Sequence, residues 1–238
     1  MSRSGRLQVI CFDLDNTLWD SHSVIVNAER LLGAWLREHS PEVGARYGTD
    51  SWRALRRTVL AEQPEIGHDV TRFRLAMLER AFSDAGYPPA EGRRLAAEAF
   101  AVFIEARHQV RLYEGVRETL EALRANYQLG TLTNGNADIA RLGLTDLFSF
   151  WFSAGDVGAS KPAPAIFQAA MAHTGTDARS LIHVGDNPRD DVEGARRIGL
   201  DCIWVNPDDA EFPDIYLPPT ATIRHVRELP ALIEKLKH

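Results

Sequence analysis

A lone strand pattern at Leu7–Asp13 stands apart from every later strand pattern, and the residues between them read as helix throughout. Apolar residues recur at helical intervals in Val24, Leu31, Leu32, Trp35 and Leu36, in Phe73, Met77 and Ala81, and in Leu95, Ala99, Phe103 and Ile104. Gly, Pro and Asp break this run at HSPEVG, QPEIGHD and AGYPPAEG. From Tyr113 onward, strand and helix alternate. Helices are expected at Gly115–Asn126, Ala137–Leu144, Pro164–His173, Asp191–Ile198 and Leu229–Lys237, and strands at Tyr127–Thr133, Phe150–Ser153, Ser180–Val184 and Asp201–Val205. This alternation predicts an α/β fold, a doubly wound parallel sheet with helices on both faces. Crossovers between parallel strands are usually far shorter than the roughly 90 residues after the first strand, so an all-helical domain is expected there. The predicted division is 1–18 with 112–238 for the α/β core and 19–111 for the insert, with linkers at Trp19–His22 and Val110–Gly115.

Charge and composition narrow the class of partner. The 238 residues carry a net charge of −6 and no run of basic residues, which argues against a nucleic-acid surface. No segment reaches the roughly 18 apolar residues of a membrane span, and the apolar part of MSRSGRLQVI is too short for a signal peptide. Cys11 and Cys202 lie in apolar strand runs and read as small buried hydrophobes in a reducing cytoplasm. FSFWF at 148–152 fits either core or interface, and the oligomeric state is left open.

In open parallel sheets the ligand site lies beyond the carboxyl ends of the strands. Here those ends bring Asp13 and Asp15, then Thr133 and Asn134, then Lys161, then Asp186, Asp190 and Asp191 to one rim. Each residue alone has an ordinary reading: an Asp as turn former or helix cap, a solvated lysine, a satisfied threonine. Together they would crowd acids and a lysine at one edge by chance. Several carboxylates at one rim repel unless a cation joins them, and oxygen ligands without a His/Cys cluster suit magnesium (Mg2+). His183, inside a strand, reads as core and not as a ligand. There is neither a GxxxxGK[ST] loop nor a GxGxxG.

The D-x-D-x-T of Asp13–Thr17, the strand-terminal Thr133, the Lys161-Pro162 pair and GDNPRDD resemble the four motifs of the haloacid dehalogenase superfamily. The resemblance implies a phosphatase with a helical cap after strand one. It implies Asp13 as nucleophile, forming an aspartyl-phosphate, and Asp15 as general acid and then base. Thr133, Asn134 through its backbone, and Lys161 would bind the phosphoryl group. Asp13, the Asp15 carbonyl, Asp186 and Asp191 would hold magnesium, with Asp190 the alternative to Asp191. Dehalogenases lack the second acid because a halide leaves without a proton; an alkoxide needs one, so Asp15 favours a phosphate ester. A phosphomutase keeps both acids and stays open. The insert's PEIxHDVTRxR, residues 64–74, resembles a bacterial branch acting on flavin mononucleotide and ribitylamino-uracil phosphate. That implies a small phosphate-ester substrate of this kind, with His68, Asp69 or Arg72 touching it; another sugar or nucleotide phosphate is the alternative. A reading of another class, a non-enzymatic switch phosphorylated on Asp, conflicts with the chain's length and helical insert.

Overall fold

The computed structural model describes residues 7–236. The chain divides into two units, one of residues up to Asp20 and from Arg111 onward, the other Ser21–Val110. Strand β1, Val9–Phe12, opens the first unit and is buried at every position.

The second unit contains five α-helices among the described residues: α1 (Ser21–His39), α2 (Pro41–Arg46), α3 (Thr49–Glu62), α4 (Val70–Asp84) and α5 (Pro89–Arg107). Proline opens α2 and α5, where a missing N–H costs nothing. The Asp69 carboxylate caps α4 by accepting from the Thr71 and Arg72 amides, both at 3.0 Å. Ala28, Leu32 and Leu36 form the buried stripe of α1 and join Phe73, Leu78 and Phe82 with Leu95, Ala99 and Phe103 in one apolar cluster. Burying a side chain such as Phe82 contributes roughly 1.5–3 kcal/mol. Val24 and Leu31, although in phase, lie only partly buried.

The first unit resumes with α6 (Val116–Arg124), β2 (Gln128–Thr133), β3 (Phe150–Ser153), α7 (Ala154–Val157), α8 (Ala165–Thr174) and β4 (Leu181–Gly185). It ends with α9 (Gly194–Arg197), β5 (Asp201–Val205), β6 (Ala221–Ile223) and α10 (Leu229–Leu236). The six strands form one parallel sheet in the order β3-β2-β1-β4-β5-β6, the doubly wound arrangement in which the order reverses beside β1. Continuous burial of β1, β4 and β5 follows from helices on both faces.

Several sequence expectations are corrected. The helix expected at Ala137–Leu144 is a series of turns. The Asp138 carboxylate takes the Ala140 amide at 2.8 Å, and Gly143 adopts a left-handed φ of 66°, so the local bonding competes with a helical ladder. The helix expected at Asp191–Ile198 begins earlier, as a wide π-type turn over Pro188–Glu193 that leads into α9. The strand β6 and the one-turn α7 carry too few residues for a periodicity to show. Within FSFWF, Phe148 and Phe150 are buried while Trp151 stands exposed on the edge strand.

Candidate active site

The register sets the site. Phe12 lies opposite Thr131 on one side and Val184 on the other, so β2 runs two residues and β4 one residue past the end of β1. Asp13 follows directly, its amide donating to the Val184 carbonyl at 2.8 Å. Thr133 closes β2, and Asp186 follows the last residue of β4. Asp13, Asp186 and Asp191 each offer a carboxylate oxygen within 4.8 Å of the others.

Lys161 enters the group from the loop before α8 and is itself buried. Its ammonium donates to Asp13 Oδ1 at 2.6 Å, Asp191 Oδ1 at 2.7 Å and the Leu132 carbonyl at 2.7 Å, which uses all three of its protons. Burial alone would depress this ammonium, but the two carboxylates outweigh it and hold the pKa above that of a free lysine. Burial also drives Asp13 well above the usual carboxylate range, Lys161 opposing it and Asp191 and Asp186 adding to it. For Asp191, burial is outweighed by Lys161 and by a hydrogen bond from His183, and the carboxyl lies below its ordinary range. Burial and the Asp191 charge raise Asp186 to about 7, with the Thr17 hydrogen bond and the Lys161 charge opposing.

The two adjacent acids separate clearly. Asp191 is buried, and its second oxygen accepts the Asn187 amide at 3.0 Å. Asp190 instead accepts from the Asn134 side chain, Nδ2 to Oδ2, at 3.3 Å. The wide turn produces this split: the amides of Asp191 and Val192 both bond the Asn187 carbonyl, and the added width turns Asp191 back toward the strand ends. Gly185 makes room for it, since a Cβ there would stand 2.3 Å from Asp191 Cγ.

Asn134 clamps the lysine loop. Its side chain accepts the Lys161 amide at 2.7 Å and donates to the Lys161 carbonyl at 3.0 Å. Thr133 Oγ1 accepts the Gly135 amide at 2.9 Å, so its own proton stays available for an anion. Asp15 accepts from Trp19 Nε1 at 3.0 Å, and Thr17 Oγ1 donates to Asp186 at 3.2 Å. His68, Asp69 and Arg72 belong to the helical unit, where Asp69 serves as the α4 cap and Arg72 is exposed.

Sequence reasoning missed two residues. His183 is fully buried, as a core histidine would be, yet its Nε2 contacts Asp191 Oδ1 at 2.8 Å. Trp19 reads as the start of the linker Trp19–His22, yet its indole N–H donates to Asp15. Neither carries a motif signal; only the spacing of His183 from Asp191 could have suggested a partnership.

The donor set suits a hard divalent cation. Three carboxylates converge with no thiolate or imidazole among their ligand atoms, and burial, with the Asp191 charge beside it, raises Asp186, a load that a cation would relieve.

The family model of the haloacid dehalogenase-like hydrolases matches residues 7–199. The chain belongs to this family. It is 34% identical over 232 residues to the 5-amino-6-(5-phospho-D-ribitylamino)uracil phosphatase YigB of Escherichia coli, covering 96% of this chain and 97% of that protein. It is 37% identical to a phosphoserine phosphatase of Thermus thermophilus over 60% of each chain. A crystal structure described as a 2-haloacid dehalogenase from Pseudomonas syringae superposes with a TM-score of 0.92 at 40% identity, covering 96% of this chain and 99% of that one. The chain is thus an enzyme of the family, and its named phosphatase relatives support a phosphatase activity.

Proposed function

We propose that this enzyme hydrolyses a small phosphate monoester through an aspartyl-phosphate on Asp13, with a phosphorylated ribityl compound, flavin mononucleotide or ribitylamino-uracil phosphate, as substrate. The observation that carries the chemistry is the loop from Asp13 to Trp19, which holds a buried carboxylate beside Lys161 and a second, hydrogen-bonded acid two residues on. The ribityl substrate rests on likeness to the Escherichia coli enzyme along almost the whole chain.

Asp13 attacks phosphorus; Asp15 protonates the departing alkoxide and then takes a proton from the water that cleaves the acyl phosphate. Thr133, the Asn134 amide and Lys161 receive the phosphoryl oxygens. The lysine acts first through its charge, since its donors are already engaged by Asp13, Asp191 and Leu132. Asp13, Asp186, Asp191 and the Asp15 carbonyl would hold magnesium, which supplies charge neutralisation for the phosphoryl group. The helical unit acts as the specificity cap, with His68, Asp69 or Arg72 of the PEIxHDVTRxR run recognising substrate. A reducing cytoplasm suits the two buried free thiols, Cys11 and Cys202. Among the described residues no helix is long and apolar enough to cross a membrane.

The test is a screen of phosphorylated metabolites, ranked by kcat/KM, with a 2-haloacid alongside. Turnover of flavin mononucleotide or the ribitylamino-uracil phosphate, no halide release, and loss of all turnover in a folded Asp13→Asn protein are expected. Halide release with no phosphate release would overturn the reading. Preference for another sugar or nucleotide phosphate would replace the substrate and keep the chemistry.

A further inference from the structure

The Trp19 indole is wholly buried, and its one polar atom is spent on Asp15 Oδ1 at 3.0 Å. A buried indole N–H needs an acceptor, and a backbone carbonyl usually serves. Here the acceptor is the acid two residues beyond Asp13.

The surrounding backbone fixes this arrangement from three sides. The Asn16 amide donates to the Trp19 carbonyl at 2.8 Å, and the Leu18 amide to the Leu14 carbonyl at 2.9 Å. Asn16 takes a left-handed φ of 61°, which closes the loop tightly enough for Asp15 and Trp19 to face each other as a bridge pair. Trp19 also pairs with Leu112, and the Tyr113 amide donates to the Leu18 carbonyl at 2.9 Å. The indole is therefore a fixed donor mounted on the α/β unit, and Asp15 is the more accessible partner.

We propose that Trp19 is a positioning residue that sets the orientation of the Asp15 carboxyl for proton transfer to the leaving group. The inference rests on the phosphatase reading above. An indole N–H only donates, so Oδ1 is its acceptor and the transferable proton resides on Oδ2. As the Asp13 oxygen bonds to phosphorus, the ester P–O bond breaks and its electron pair stays on the alkoxide. The Oδ2 proton moves to that alkoxide, leaving Asp15 as a carboxylate. The indole keeps the carboxyl from rotating away during this transfer and is itself unchanged.

A role confined to proton delivery has a signature that packing lacks. An alkyl alcohol leaves poorly without a proton, whereas 4-nitrophenolate leaves readily. kcat/KM reports only the steps through loss of the alcohol, so the later action of Asp15 on water does not enter. The experiment compares wild type with Trp19→Phe on flavin mononucleotide, or the best alkyl phosphate of the screen, and on 4-nitrophenyl phosphate. Site-specific benzothienylalanine at position 19 repeats the comparison, because it replaces the N–H by sulfur and keeps the bicyclic shape. Loss of about tenfold or more in kcat/KM on the alkyl ester, with 4-nitrophenyl phosphate within about twofold, is expected of both proteins. Equal losses on the two esters, or no loss on either, overturn the role of Trp19. The phosphatase reading survives that outcome, because wild type still turns over both esters.

Discussion

At the scale of single residues, the site is an electrostatic balance around Lys161. One buried ammonium faces two carboxylates directly, and a third, Asp186, is left with its pKa near neutrality. Asp191 below its ordinary range is a stabilising state present above about pH 4 and lost as pH falls through the folded pKa; raised Lys161 is stabilising below about pH 10 and lost above the folded value. Replacing Lys161 by Met leaves Asp13 and Asp191 buried without a cation, at a cost of about 3 kcal/mol in metal-free protein at neutral pH. Without the lysine, both acids take up protons more readily, so the deficit shrinks as pH falls from about 8 to about 5. Urea unfolding of the two proteins in chelator, at both pH values, measures this. A deficit unchanged by pH would assign Lys161 to packing alone. His183 completes the balance by bonding the same Asp191 oxygen that Lys161 holds.

At the scale of elements, the wide turn over Pro188–Glu193 and the glycine before it act together to present Asp191. Gly185 shows no left-handed φ; the space beside its Cα, filled by Asp191, is what calls for glycine. A methyl at 2.3 Å from Asp191 Cγ must displace that carboxylate, and an ångström of displacement at a catalytic group costs about a hundredfold in rate. Gly185→Ala is therefore expected to lower kcat/KM on 4-nitrophenyl phosphate about a hundredfold while the far-ultraviolet circular dichroism stays native. Activity within a few fold of wild type would show that Asp191 has room to move. The parallel strands of this sheet were legible because full burial writes them as apolar runs such as VICF and LIHVG. The strand ends were legible because their polar residues interrupt those runs. What the sequence concealed has local causes. Asp138 draws the chain into turns where an apolar spacing suggests helix, and three residues, ATI, carry β6 without a period. The choice between Asp190 and Asp191 depends on a turn one residue wider than α-helical, which neighbouring identities do not encode. Trp19 and His183 were hidden for a further reason: a buried aromatic or imidazole looks the same in sequence whether it fills space or holds an acid.

At the scale of the whole molecule, each unit has its own apolar cluster, and Asp13, Asp186 and Asp191 all belong to the α/β unit. This links folding, protons and cation binding. Asp186 is raised to about 7, so between about pH 4 and pH 7 the folded chain holds a proton that the unfolded chain has released. The contribution of Asp186 to the stability of the metal-free protein then falls as pH rises through that window, since at this group the native state binds more protons than the unfolded one. A divalent cation held by Asp13, Asp186 and Asp191 would displace that proton, so its affinity is expected to climb as pH rises through about 7. A ligand that binds only the folded state stabilises by an amount set by its concentration relative to Kd. At one fixed magnesium concentration, the increase in Tm is therefore expected to be larger at about pH 8 than at about pH 6. Calorimetric titration of magnesium in buffers of different ionisation enthalpy gives an independent measure, through a proton release on binding that is larger near pH 6 than near pH 8. A Tm increment that is equal at the two pH values, with no proton release at the lower one, would place the cation elsewhere than on Asp186.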